Sequence, residues 1–203
     1  MFRINLALSI AIGLLASLTL FADAKADKGQ HIFDIDHGSG ATEFEAIGRP
    51  GAIKIHGKGA VPRGTLSIDG LVVSGNITFD LESLDTGIKM RNEHMKKKYL
   101  ETDKFPRATL TLNKVDLPKD FTLENCSISQ ASFEGVLKLH GVEKLIIGRS
   151  KIECKAGQVS LSANFDFAVS DFNIAIPSFA GVSMAKDVKV SVTVKAPTII
   201  AVK

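Results

Sequence analysis

Apolar and polar residues alternate one for one in segment after segment of this 203-residue chain. Leu71, Val73, Ile77, Phe79 and Leu81 fall on one face, with Ser74, Asn76, Thr78 and Asp80 opposite. Leu110 and Leu112 alternate with Thr109 and Thr111. Phe133, Leu137 and Leu139 alternate with Glu134, Lys138 and His140. The same pattern recurs over 159–169, where Phe165 and Phe167 lie, and over 188–195, around Val190. A period of two sends successive side chains to opposite faces of a strand. Repeated this often, it demands an antiparallel sheet with one dry and one wet face. Shorter strand signals at 30–35, 42–47 and 53–58 are separated by the turns His37-Gly38-Ser39-Gly40 and Arg49-Pro50-Gly51. No internal repeat or low-complexity linker divides the chain, so one domain is expected. Such a sheet hides its dry face in a sandwich or by closing into a barrel. A barrel of about eight strands is either filled by its side chains or holds one small ligand. The alternation leaves both open. An outer-membrane barrel would carry aromatic girdles, whereas this chain has one Tyr and no Trp.

The long interruption is 90–106. Arg91 and His94 are three apart, so a short helix puts them on one face, which Lys97 continues. Tyr99, Leu100 and Phe105 offer an apolar return, and Pro106 stops any helix before the next strand. A short helical lid around 88–98 is expected. Arg91, Asn92, His94 and Lys97 carry donors suited to an anionic or polar head group. A solvated basic helix face accounts for the same residues.

The first residues read as an export signal. Arg3 precedes an almost wholly apolar run from Ile4 to Phe21, and Ala22-Asp23-Ala24 and Ala24-Lys25-Ala26 offer small-residue cleavage sites. Residues 1–26 are therefore expected to be removed, leaving 27–203 as the domain; an uncleaved anchor is the alternative. The net charge of +3 is too mild to indicate nucleic acid. The two cysteines, Cys126 and Cys154, allow a disulfide in an exported chain; two buried thiols are the alternative. Catalytic patterns are weak. There is no G-x-S-x-G elbow, no C-x-x-C pair, no H-E-x-x-H and no phosphate-cradling glycine loop. His31, His37, His56 and His140 read as surface or turn histidines.

Three segments resemble the YceI family of exported, lipocalin-like polyisoprenoid-binding proteins. Ser83-Leu84-Asp85-Thr86-Gly87 with Met90-Arg91-Asn92-Glu93-His94-Met95 is similar to that family's S-x-D-T-G … R-D/N-x-H-L/M pattern. Tyr99-Leu100-Glu101-Thr102-Asp103-Lys104-Phe105-Pro106 is similar to its F-F-D-x-x-K-Y/F-P run. Gly135 to Lys144 is similar to its G-x-L-T-L-H-G-V-T-K hairpin. Asn92 stands where the family often has an acid, and Leu100-Glu101 replaces its usual Phe-Asp. The resemblance implies an all-β, eight-stranded antiparallel lipocalin-like barrel with an apolar pore. Val73, Ile77, Phe79, Leu110, Leu112, Leu137, Leu139, Phe165, Phe167 and Val190 would line it. Arg91, Asn92, His94, Lys97 and Tyr99 would steady a head group or hold the lid.

The implied function is a periplasmic or secreted binding protein without catalysis. It would hold a polyisoprenoid, quinone, polyprenyl phosphate or fatty amide for transport, storage or sequestration. No cofactor or metal is expected beyond the bound lipid. No nucleic-acid partner and no stable membrane insertion after cleavage are expected, and a homodimer stays open. Two alternatives remain. One is an enzyme using His94 as acid/base with Glu93 or Asp103 as its partner. The other is a packed structural or stress-related barrel without a ligand.

Overall fold

The computed structural model describes residues 30–49, 54–122, 127–155, 158–179, 182–196 and 199–202. The expected signal segment 1–26 and Cys126 lie outside them. The strands are β1 (Gln30–Asp34), β2 (Ser39–Arg49), β3 (Lys54–Gly59), β4 (Arg63–Asp69), β5 (Val72–Asp80) and β6 (Arg107–Val115). They continue as β7 (Ser127–Leu139), β8 (Val142–Lys155), β9 (Gln158–Ala168), β10 (Ser178–Phe179), β11 (Val182–Ala196) and β12 (Ile199–Val202). One helix, α1 (Lys89–His94), runs directly into a π-helical turn at Met95–Leu100. The helical lid thus spans 89–100, a little past the expected end.

All pairings are antiparallel, and the sheet curls into a half-barrel. Its order is β12-β1-β4-β5-β6-β7-β8-β9-β11-β2-β3, with β10 paired to β11. Among the described residues there are twelve strands where eight were expected. Much of the difference lies in short segments. β10 and β12 have two and four residues. No alternation marks 63–69 in the sequence, yet β4 runs there with Leu66 and Ile68 inward. Leu71, assigned to the dry face of β5, sits in the β4–β5 turn and is exposed.

Turn chemistry sets the longest hairpin. His140 and Gly141 both have positive φ, 51° and 77°, between Leu139 and Val142. A two-residue turn of this hand matches the twist of the flanking strands. Glycines elsewhere make room for rings. A Cβ on Gly57 would collide with the Phe44 ring, and one on Gly148 with the Phe133 ring.

The interior is filled at one end. Phe33, Ile35, Phe133 and Val159 are 1–2% exposed there. Aromatic contacts lead from this packing toward the lid. Phe133 meets Phe165 edge-on at 6.3 Å, Phe165 stacks on Phe167 at 6.4 Å, and Phe167 meets Phe172 edge-on at 5.3 Å. Such pairs add to simple area burial.

Phe133→Ala removes a ring that no neighbour can replace. It is expected to destabilise the fold by about 3–5 kcal/mol. Urea denaturation checks this, and a loss below about 1 kcal/mol would mean the filled end is not close-packed.

Candidate functional site

The lid spans the sheet's open lane. Lys58 on edge strand β3 exchanges both backbone hydrogen bonds with Asp85, at 2.8 and 2.7 Å. Ala60 N–H donates to Ser83 Oγ at 2.8 Å. The stretch before α1 therefore acts as extra edge cover for β3, where an unpaired strand edge would otherwise be exposed.

Thr86 organises the start of the lid. Its N–H and its hydroxyl both donate to Asn92 Oδ1, at 2.8 and 2.6 Å. Arg91 Nε donates to Thr86 Oγ1 at 2.8 Å, and Nη2 to the Thr86 carbonyl at 2.6 Å. Asn92 Nδ2 donates to Asp85 Oδ1 at 2.6 Å, beside the Gly87 N–H at 2.8 Å. An acid in place of Asn92 could accept from Thr86 but could not donate to Asp85. Lys96 Nζ donates to the Glu82 carbonyl. The far end of the lid has its own joint. Glu101 accepts from Lys104 at 2.6 Å and contacts His140 Nε2 at 2.9 Å. His140 Nδ1 lies 3.1 Å from the Phe172 carbonyl, and its ring packs on Phe105 at 4.6 Å. Glu101, His140 and Asn173 are the described non-glycine residues with positive φ, and all three belong to this joint or adjoin it. His140 thus does more than occupy a turn, and its side chain is 11% exposed. His31 also proves buried, while His37 and His56 are exposed.

Beneath the lid lies a cavity of about 660 Å³. Phe79, Leu137, Leu139, Phe165, Phe167 and Val190 line it. Val73, Leu110 and Leu112 are buried outside its lining, and Ile77 packs half-buried against the core. Phe44, Ala46, Ile55 and Val188 complete the wall from β2, β3 and β11. Phe44 and Ala46 went unread as pore residues because the short alternation in 42–47 does not say which way a strand faces, whereas Val188 shares the dry face read for Val190. Tyr99 and Leu100 pack down from the lid, and Lys98 Nζ sits 5.4 Å from the Tyr99 ring centre. Arg91 and Lys98 supply the positive charge along the wall, with the His94 ring beside them; among the described residues no Asp or Glu lines it. Lys97 and Asn92 are not in the lining. Thr42 contributes a buried hydroxyl without a hydrogen-bond partner.

Among the described residues no group of three His, Cys, Asp or Glu could hold a metal ion. Among them, too, no helix is long and apolar enough to cross a membrane. Cys154, near the end of β8, is disulfide-bonded.

Fold and site define a class: a curled antiparallel sheet that keeps an apolar, lidded pocket inside. A family profile described as a YceI-like domain matches residues 31–196. The chain belongs to the YceI-like family. Solved structures share the fold at low identity. Burkholderia cenocepacia BcnA aligns with a TM-score of 0.62 at 17% identity, over 76% of this chain and 96% of that one. A polyisoprenoid binding domain from Saccharophagus degradans, implicated in plant cell wall breakdown, aligns at 0.61 and 17%, over 85% and 98%. The Campylobacter jejuni YCEI protein aligns at 0.55 and 19%, over 69% and 82%. No curated protein matches the sequence.

The bonding of Arg91 predicts a structural phenotype. Arg91→Ala is expected to lower the melting temperature of ligand-free protein and to speed hydrogen exchange over 85–95. Unchanged melting would show that its bonds to Thr86 hold nothing. Acid should loosen both ends of the lid. Hydrogen bonds from Lys104, then His140, hold Glu101 below its ordinary value of 4.5. The Gly87 N–H, then the Asn92 amide, hold Asp85 below its own. A carboxylate depressed in the fold stabilises above its unfolded value, and that contribution is lost as pH falls through the folded value. Melting temperature should therefore drop on acidification below the ordinary glutamate range, and drop less in Glu101→Gln. Parallel curves for the two proteins would remove Glu101 from the account.

Proposed function

We propose that the protein is an exported binding protein that holds a long-chain amphiphile, an isoprenoid or similar lipid, in the lidded pocket. The observation that carries this reading is the pocket's lining: apolar walls with Arg91 and Lys98 on the lid side and, among the described residues, no carboxylate. Burying an apolar chain gains roughly 25 cal/mol per Å² removed from water, so binding needs no reactive group. The Saccharophagus relative is described as polyisoprenoid binding, which makes an isoprenoid the first candidate to test here. His94 and Lys98 lie on the lid and line the pocket, four residues apart, a spacing that makes them neighbours on a helical turn. They are the proposed seat of an anionic or polar head, whereas Arg91 and Asn92 serve the lid. Export rests on the apolar N-terminal run and its small-residue sites, and a bonded Cys154 accords with an oxidising compartment.

The enzyme reading needs an acidic partner for His94 inside the cavity. Glu93 and Asp103 are exposed and neither lines it, which favours binding over turnover. Transport, storage and sequestration all use such a pocket.

Native mass spectrometry of gently purified protein is expected to find a co-purifying lipid. Absence of any lipid, with no binding of added quinone or polyprenol, overturns the reading. The double variant His94→Ala/Lys98→Ala is expected to weaken binding of a polyprenyl phosphate roughly tenfold, the scale of one exposed ion pair and one hydrogen bond. Its binding of the uncharged alcohol should change little, and its melting temperature should stay level. Equal losses for phosphate and alcohol would assign these residues to packing rather than to the head group.

A further inference from the structure

The apolar wall of the pocket continues out onto the lid's surface. Ile88 and Met90 both line the cavity, yet they are 53% and 65% exposed. A side chain that belongs to the wall and still lies mostly in water stands on the rim. Ile176 is also exposed, and Ile174 and Pro177, which bracket it in sequence, line the same wall. Single exposed apolar residues are ordinary on a protein surface, whereas a group continuous with an apolar cavity marks a contact surface.

The same rim is basic. Residues 89–98 hold Lys89, Arg91, Lys96, Lys97 and Lys98 against one acid, Glu93. Lys89 and Lys97 are exposed, stand outside the cavity lining and have no carboxylate partner among the described residues. Of the acids flanking this span, Asp85 and Glu101 are engaged in the lid's own hydrogen bonds, and Glu82 and Asp103 are exposed.

We infer that this rim docks the protein, reversibly, on an anionic phospholipid leaflet, with the mouth of the pocket against the lipid. The purpose of docking rests on the binding role proposed above. A chain that crossed water to reach the pocket would pay roughly fourfold in partition for each methylene exposed. Ile88 and Met90 enter the leaflet, and the unpaired lysines meet its phosphates. Apolar side chains give a surface-lying element its hold on a membrane, and flanking cations give it a preference for anionic lipid. An acidic protein would match the lysines, but a rim continuous with the lipid's own pocket favours the leaflet.

The test is cosedimentation of the exported protein with vesicles of phosphatidylcholine alone, or mixed equally with phosphatidylglycerol. Binding to the mixed vesicles is expected to be roughly tenfold tighter or more, and to weaken as salt rises. Lys89→Ala/Lys97→Ala is expected to weaken it roughly thirtyfold, the scale of two cations near an anionic surface. Its melting temperature and its binding of polyprenol in solution should hold. Ile88→Ser/Met90→Ser is expected to weaken vesicle binding roughly tenfold through lost apolar burial. Leu145→Ser/Ile147→Ser, which removes two exposed apolar residues from the outer face of β8, should leave it level. No binding to the mixed vesicles, or an equal loss in the β8 variant, overturns the docking surface while the pocket's binding role stands. Vesicle binding by a protein that takes up neither polyprenol nor quinone keeps the docking surface and overturns the binding role.

Discussion

A curled sheet with one apolar face must exclude water from both ends of the space it encloses. This protein meets that constraint differently at each end. Phe33, Ile35, Phe133 and Val159 fill one end with their own volume. A helical lid covers the other. Filling is a matter of contact area and dispersion, whereas the lid is tied by a few directed hydrogen bonds. The empty space lies on the side where the bonds are directed, which leaves an interior that a ligand can enter while the sheet stays packed.

The lid's two anchors differ in chemistry. Its start is a cluster around Thr86, in which Arg91, Asn92 and Asp85 each use donors and acceptors that fit one arrangement. Its end is the Glu101–His140 contact, joined by Lys104 and the Phe172 carbonyl. Residues that mark the family by sequence are thus largely committed to holding the lid. His94 and Lys98 line the pocket and make no such anchor. A pattern of recurring residue types does not separate these roles, because an Arg that binds a lipid head and an Arg that binds a threonine look alike in one dimension.

Much of the fold was legible in the sequence. Alternation in 71–81, 133–139, 159–169 and 188–195 identified strands and their inward faces, since a period of two leaves no other placement for Phe79, Leu137 or Phe165. Short strands were harder. β4 was not marked by a clear alternation, and β10 and β12 are too short to show a period. Leu71 obeyed the alternation but fell in a turn. His140 read as a turn residue, and nothing in its neighbourhood signalled that Glu101 would come within 2.9 Å of it.

The sequence by itself indicated an antiparallel sheet with a dry face, and a helical lid around 88–98. Only the tertiary structure decided where the interior is full and where it is empty. Val73, Leu110 and Leu112 face inward as surely as Phe79 and Leu137, yet they end in the packed half. Alternation says which face a side chain takes but not how high on the barrel it sits. Height is set by the register between strands and by the bulges that shift it, such as the one between Leu112 and Lys114. The division of a single apolar face into packing and pocket therefore exists only once the strands are paired.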